Sequence, residues 1–119
     1  MKKFILAASL LALNVSFAGE LQTKNGTKIF CQDKERGLNY ALKVLDKKNG
    51  VAEIKVYSEG KLVQKYSNAK FFEDMEETYF GAFGKDSYIF EIIIPYQALS
   101  EAIYHDETKY DSIQCDLSK

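Results

Sequence analysis

The chain is poor in the residues that most often carry chemistry. It has one histidine, His105, two cysteines and no tryptophan. With a single imidazole and no Cys-x-x-Cys spacing, neither a metal pair nor a reactive thiol has support. Nucleophilic catalysis needs a base and usually a group that orients it, yet His105 lies in Tyr104-His105-Asp106-Glu107, which reads as a polar turn. No Gly-x-Ser-x-Gly elbow, His-Glu-x-x-His helix, phosphate loop or dinucleotide fingerprint is present, so the hydrolase, zinc and nucleotide classes lose their usual signals. No catalytic residue, metal ligand or cofactor is expected.

A long apolar span is missing as well. Lys2 and Lys3 precede an apolar run from Phe4 to Leu13, broken only by Ser9, and small residues follow at Ser16 and Ala18. That three-part pattern predicts a cleavable signal peptide over Met1–Ala18 and a mature chain from Gly19. Ten helical residues reach about 15 Å against a hydrocarbon core of roughly 30 Å, too short for an anchor. The first cysteine is Cys31, so no lipid-modified start is expected. The protein is therefore read as periplasmic or extracellular, with one domain over residues 19–119. Without the leader the balance is 14 basic against 17 acidic residues, which leaves no basic field for nucleic-acid binding. The expected strands carry charges on both faces, so a membrane-embedded barrel is not expected either.

In an oxidising compartment, two cysteines near the two ends of the mature chain favour a Cys31–Cys115 disulfide. Closing a loop of that length gives roughly 4.5 kcal/mol in the chain-entropy treatment.

What the chain does have is turn signals and alternation. Asn25-Gly26, Asn49-Gly50, Glu59-Gly60 and Gly84-Lys85-Asp86 separate runs rich in β-branched and aromatic residues, the pattern of an antiparallel meander. Asn25-Gly26-Thr27 also fits a glycosylation sequon, but it reads better as a hairpin turn. Leu38, Tyr40, Leu42 and Val44 alternate with Asn39, Ala41, Lys43 and Leu45, and Ala52, Ile54 and Val56 answer them across Asp46–Gly50. Lys61–Ser67 reads as a strand near an edge or rim. Met75–Phe83 reads as another, with Met75, Tyr79 and Phe83 on one face and Gly81 marking a bulge or a close approach. Ser87–Ile94, the most apolar run of the mature chain, reads as a central strand covered on both sides, ended by Pro95. Residues 96–105 fit either a short helix or a strand. Lys28–Cys31 and Tyr110–Leu117 read as terminal strands that the disulfide makes neighbours. The predicted fold is a single all-β domain of about seven or eight strands, closed into a barrel or sandwich.

Function is less legible. Glu73, Asp74, Glu76 and Glu77 crowd one stretch but point to opposite faces of a strand, so they read as a solvated acidic loop rather than a glycosidase pair or a calcium loop. The mature chain holds eight tyrosines and six phenylalanines, and a tyrosine ring with its polar tip suits a binding surface. Tyr57, Tyr66 and Tyr79 are the candidates for such a strip. The outline, a small β-barrel with this cysteine arrangement, resembles that of some exported lysozyme inhibitors, an architectural likeness from which no functional residue is carried over. The expectation is a soluble, non-enzymatic binding or inhibitory module acting through an aromatic or loop surface on a protein or small ligand of the envelope. The rivals are a small carboxylate- or tyrosine-based enzyme and a structural envelope protein.

Overall fold

The computed structural model describes residues 23–85, 87–96 and 98–117. The expected leader, its cleavage point and Asp86 of the Gly84-Lys85-Asp86 turn lie outside the described residues. Eight strands form one antiparallel sheet that closes on itself in chain order. They are β1 (Lys28–Asp33), β2 (Leu38–Asp46), β3 (Val51–Ser58), β4 (Lys61–Glu73), β5 (Glu77–Phe83), β6 (Tyr88–Pro95), β7 (Ala102–Asp106) and β8 (Tyr110–Leu117). The meander is thus a closed barrel, not a sandwich. Closure runs through β1 and β8, where Cys31 lies directly opposite Cys115. The two form a disulfide with Cα atoms 3.9 Å apart.

Period-two alternation builds the lumen. Ile29 and Cys31, then Tyr40, Leu42 and Val44, then Ala52, Ile54 and Val56 turn inward from β1, β2 and β3. Phe80 and Ala82, with Phe90, Ile92 and Ile94, do so from β5 and β6. Each large side chain among them gains about 1.5–3 kcal/mol from burial. An eight-stranded barrel is about wide enough for side chains to fill, and aromatic rings fill this one. Tyr40 lies 5.6 Å from Phe90 and 5.9 Å from Tyr104, and Phe71 lies 5.3 Å from Phe80.

Five sequence readings need correction. The strand that begins at Lys61 does not stop at Ser67 but runs to Glu73, because a bulge between the Ile54–Tyr66 and Ala52–Ala69 pairs shifts the alternation and lets pairing resume. Met75 lies not on a strand face but in the turn before β5, 93% exposed. The run ending at Ile94 is covered on one side only, since a single closed sheet has just one inner face, and Ile89 stands outside, 38% exposed. His105 belongs to β7 rather than a turn. It is an outward polar residue of a short strand, which in sequence looks like a loop. The ambiguous segment splits into a three-residue 3-10 helix, Leu99–Glu101, followed by β7. Asn25-Gly26 forms a turn ahead of β1, with Gly26 N donating to Val44 O at 2.7 Å, and joins no two strands among the described residues.

The β2–β3 turn needs its glycine. Gly50 has φ +68°, and a Cβ there would stand 2.9 Å from the carbonyl oxygen of Phe71.

Candidate functional site

Outward-facing residues are those that packing leaves free. The three candidate tyrosines do not share a face. Tyr66 turns inward, half-buried, with its ring edge-on to Phe90 at 5.7 Å. Tyr79 stands outside on β5, 5.6 Å from Phe72, with its hydroxyl donating to Glu77 Oε1 at 2.7 Å. Tyr57 faces out from β3, on the opposite half of the barrel.

Tyr57 is the one that borders a concavity. A hollow of about 400 Å³ is lined by Phe30, Gln32, Asn39, Tyr57, Gly60, Gln114 and Asp116 among others. A second, of about 160 Å³, adjoins it and shares Phe30 and Tyr57, and Lys28, Lys43, Glu53 and Lys55 form its polar border. Together they make a trough across β8, β1, β2 and β3. Its shape follows from residue size: Phe30 is 50% exposed and pairs with Ala41, a side chain too small to fill the space between Phe30 and Tyr57. The trough has apolar walls, amides and one carboxylate at one end, and mainly ammonium groups at the other. That chemistry suits a ligand segment with an apolar body and polar or anionic ends.

The other half of the barrel carries an arc of rings. Phe83, Tyr88, His105 and Tyr110 follow one another at centroid separations of 5.9, 5.6 and 5.6 Å. The ring of Phe83 lies over Gly81, where a Cβ would come within 2.8 Å of it, so Gly81 marks a close approach. The Tyr88 hydroxyl donates to the His105 carbonyl at 2.7 Å and lies 2.9 Å from His105 Nδ1, while Nε2 lies 2.9 Å from Glu91 Oε1. One ring nitrogen of His105 thus faces a hydroxyl and the other a carboxylate. Burial, together with the charges of Glu91 and Asp106, pushes the Tyr88 hydroxyl up to about 12.

The acids do not converge on a reacting position. Glu73 pairs with Lys47 at 2.9 Å, Glu77 accepts from Tyr79, and Asp74 Oδ1 accepts the backbone N–H of Glu76 and Glu77, each at 2.8 Å. These backbone bonds hold Asp74 below the usual carboxylate range. Asp33 is buried beneath Arg36, at 2.5 Å, and Arg36 also reaches Asp111 at 2.9 Å and covers the Tyr104 ring at 4.1 Å. The tyrosine hydroxyls that shift all shift upward, Tyr79 chiefly through its bond to Glu77, and Tyr40 and Tyr104 chiefly through burial. A base or acid poised near neutral pH is not what such groups provide. Among the described residues no cluster of three or more His, Cys, Asp or Glu could hold a metal ion.

No protein-family profile, curated protein or solved structure matches this chain. The reading of the site therefore rests on its own side chains. Sequence reasoning missed Phe30, which the alternation could have found: with Ile29 and Cys31 inside, residue 30 must point out. It also missed that His105 has partners, because Glu91 and Tyr88 reach it only through the pairing of β6 with β7.

Proposed function

We propose that the mature protein is an exported, soluble, non-enzymatic binding or inhibitory module, and that it takes a protein segment or small ligand of the envelope into the outer trough between Phe30 and Tyr57. The observation that carries this is the trough itself: two adjoining hollows that share two aromatic walls, on a barrel whose interior is filled. Two aromatic rings flanking a concavity, with amides and a carboxylate at one end and lysines at the other, supply contact area and orientation without a catalytic group. The Cys31–Cys115 disulfide fits an oxidising compartment and so supports export. An apolar lumen and an exterior bearing Lys43, Lys55, Lys65 and Glu91 reverse the pattern of a lipid-embedded barrel, which supports a soluble state. Glu73, Asp74 and Glu77, each held by a local partner, argue against the enzyme reading.

The test is affinity capture from an envelope extract with the mature protein and a Phe30→Ala/Tyr57→Ala variant side by side, with the bound species identified by mass spectrometry. A species retained by the parent and by Tyr110→Ala, but lost with the trough variant, is the expected result. Equal retention by the trough variant, at matched circular dichroism, overturns the assignment.

A further inference from the structure

The barrel is closed, but its β4–β5 seam is short. It pairs Lys70 with Gly81, Phe71 with Phe80, Phe72 with Tyr79 and Glu73 with Thr78, and goes no further. Strand β4 starts at Lys61, so among the described residues its first stretch, Lys61–Asn68, pairs with β3 on one side and with no strand on the other. Among the described residues nothing packs over this stretch: Lys61–Lys65, Ser67 and Asn68 are all exposed, with Leu62 at 50% and Val63 at 54%. Alternate N–H and C=O groups along such an edge face outward without a ladder partner, which is the template for adding a strand.

Charge selects what could be added. Lys61 and Lys65 lie on the edge, Lys55 sits opposite Lys65, and Lys70 follows. Glu53 pairs with Lys55 at 3.8 Å and with Lys65 at 3.6 Å, but Lys61 and Lys70 have no carboxylate within ion-pair distance among the described residues. The excess extends over the whole half. Residues 23–73 hold 11 basic and 6 acidic side chains, whereas residues 74–117 hold 2 and 10. Two β4 edges brought together would each present these lysines to the other, and lysine on an exposed edge is a known guard against self-pairing. A strand bearing carboxylates meets the same lysines favourably.

We infer that the open edge of β4, Lys61–Asn68, docks an extended acidic segment of a partner protein by strand addition. The inference does not depend on the trough, which adjoins this edge: its wall residue Tyr57 pairs with Leu62, and Lys55 borders both. The probe is a capped peptide of alternating valine and glutamate long enough to span the edge, with a valine–lysine peptide of equal length as counterpart. Binding is measured by calorimetry, and the site by backbone amide exchange on the mature, disulfide-bonded protein. The expected result is binding of the glutamate peptide only, weakening as salt is raised, with exchange slowed within Lys61–Asn68. Lys61→Glu/Lys65→Glu, two exposed changes that leave the core intact, should weaken that binding about tenfold or more, which is about 1.4 kcal/mol or more. Phe30→Ala, on β1 and away from β4, should leave it unchanged, so that failure here and failure of the trough assignment are told apart. The inference is overturned by absence of binding, by protection that maps elsewhere, by full affinity in the charge-reversed variant, or by a dimer of this chain joined through β4 in sedimentation.

Discussion

Strands β1–β4 and strands β5–β8 line one lumen with similar side chains: Ile29, Tyr40, Leu42 and Ile54 from the first half, Phe80, Phe90, Ile92 and Ile94 from the second. Outside they diverge. The first half carries most of the lysines, most of the trough and an open strand edge. The second carries most of the carboxylates and an arc of rings cross-linked by His105, Glu91 and Tyr88. Inward positions answer to volume and to one another, so the halves must match there. Outward positions answer to solvent and partners, so the near-neutral total charge conceals two opposite surfaces.

The seams between the halves are where the largest effect is expected. One is the β8–β1 ladder with its disulfide. Replacing both cysteines, Cys31→Ser with Cys115→Ser, should lower unfolding free energy by about 2–5 kcal/mol, read as a lower urea midpoint with a steeper slope, because the unfolded chain without its cross-link exposes more surface. A loss under about 1 kcal/mol would mean that the ladder alone holds the halves together.

A smaller effect should separate the two outer faces. His105→Ala removes a partner from both Glu91 and Tyr88, each already half-buried, and should reduce stability by about 1–2 kcal/mol. On the other half, Lys28→Ala changes an exposed residue with no ion pair among the described residues and should stay within about 0.5 kcal/mol. Equal values from thermal unfolding of the two variants would erase the distinction between a cross-linked face and a solvated one.

The smallest effect is expected in acid, at two aspartates of the second half. Backbone N–H groups hold Asp74 below the usual carboxylate range, and the N–H of Thr108 with the Tyr104 hydroxyl does the same for Asp106. Because their folded pKa values are depressed, these groups contribute stability that is present above the ordinary carboxylate range, near pH 4, and is lost as pH falls through the folded values. Thermal midpoints between pH 6 and pH 2 should therefore decline less steeply in Asp74→Asn/Asp106→Asn than in the parent. Parallel curves would remove these two aspartates as a cause.

By itself the sequence determined the strand count to within one, the inward rows of β2 and β3, and the pairing of Cys31 with Cys115, because each depends on period two, on turn residues or on a cysteine count of two. Alternation breaks at a bulge, which is why the second part of β4 was not legible. An exposed strand residue resembles a loop residue, which is why His105 was misplaced. Tertiary structure alone decided that Tyr57 borders a trough with Phe30 while Tyr66 packs inward and Tyr79 stands outside on β5, two strands away. The stagger between neighbouring strands sets which residues become neighbours, and the same stagger leaves Lys61–Asn68 beyond the reach of β5. Stagger arises only when all eight strands close together, so no single stretch of the chain encodes it.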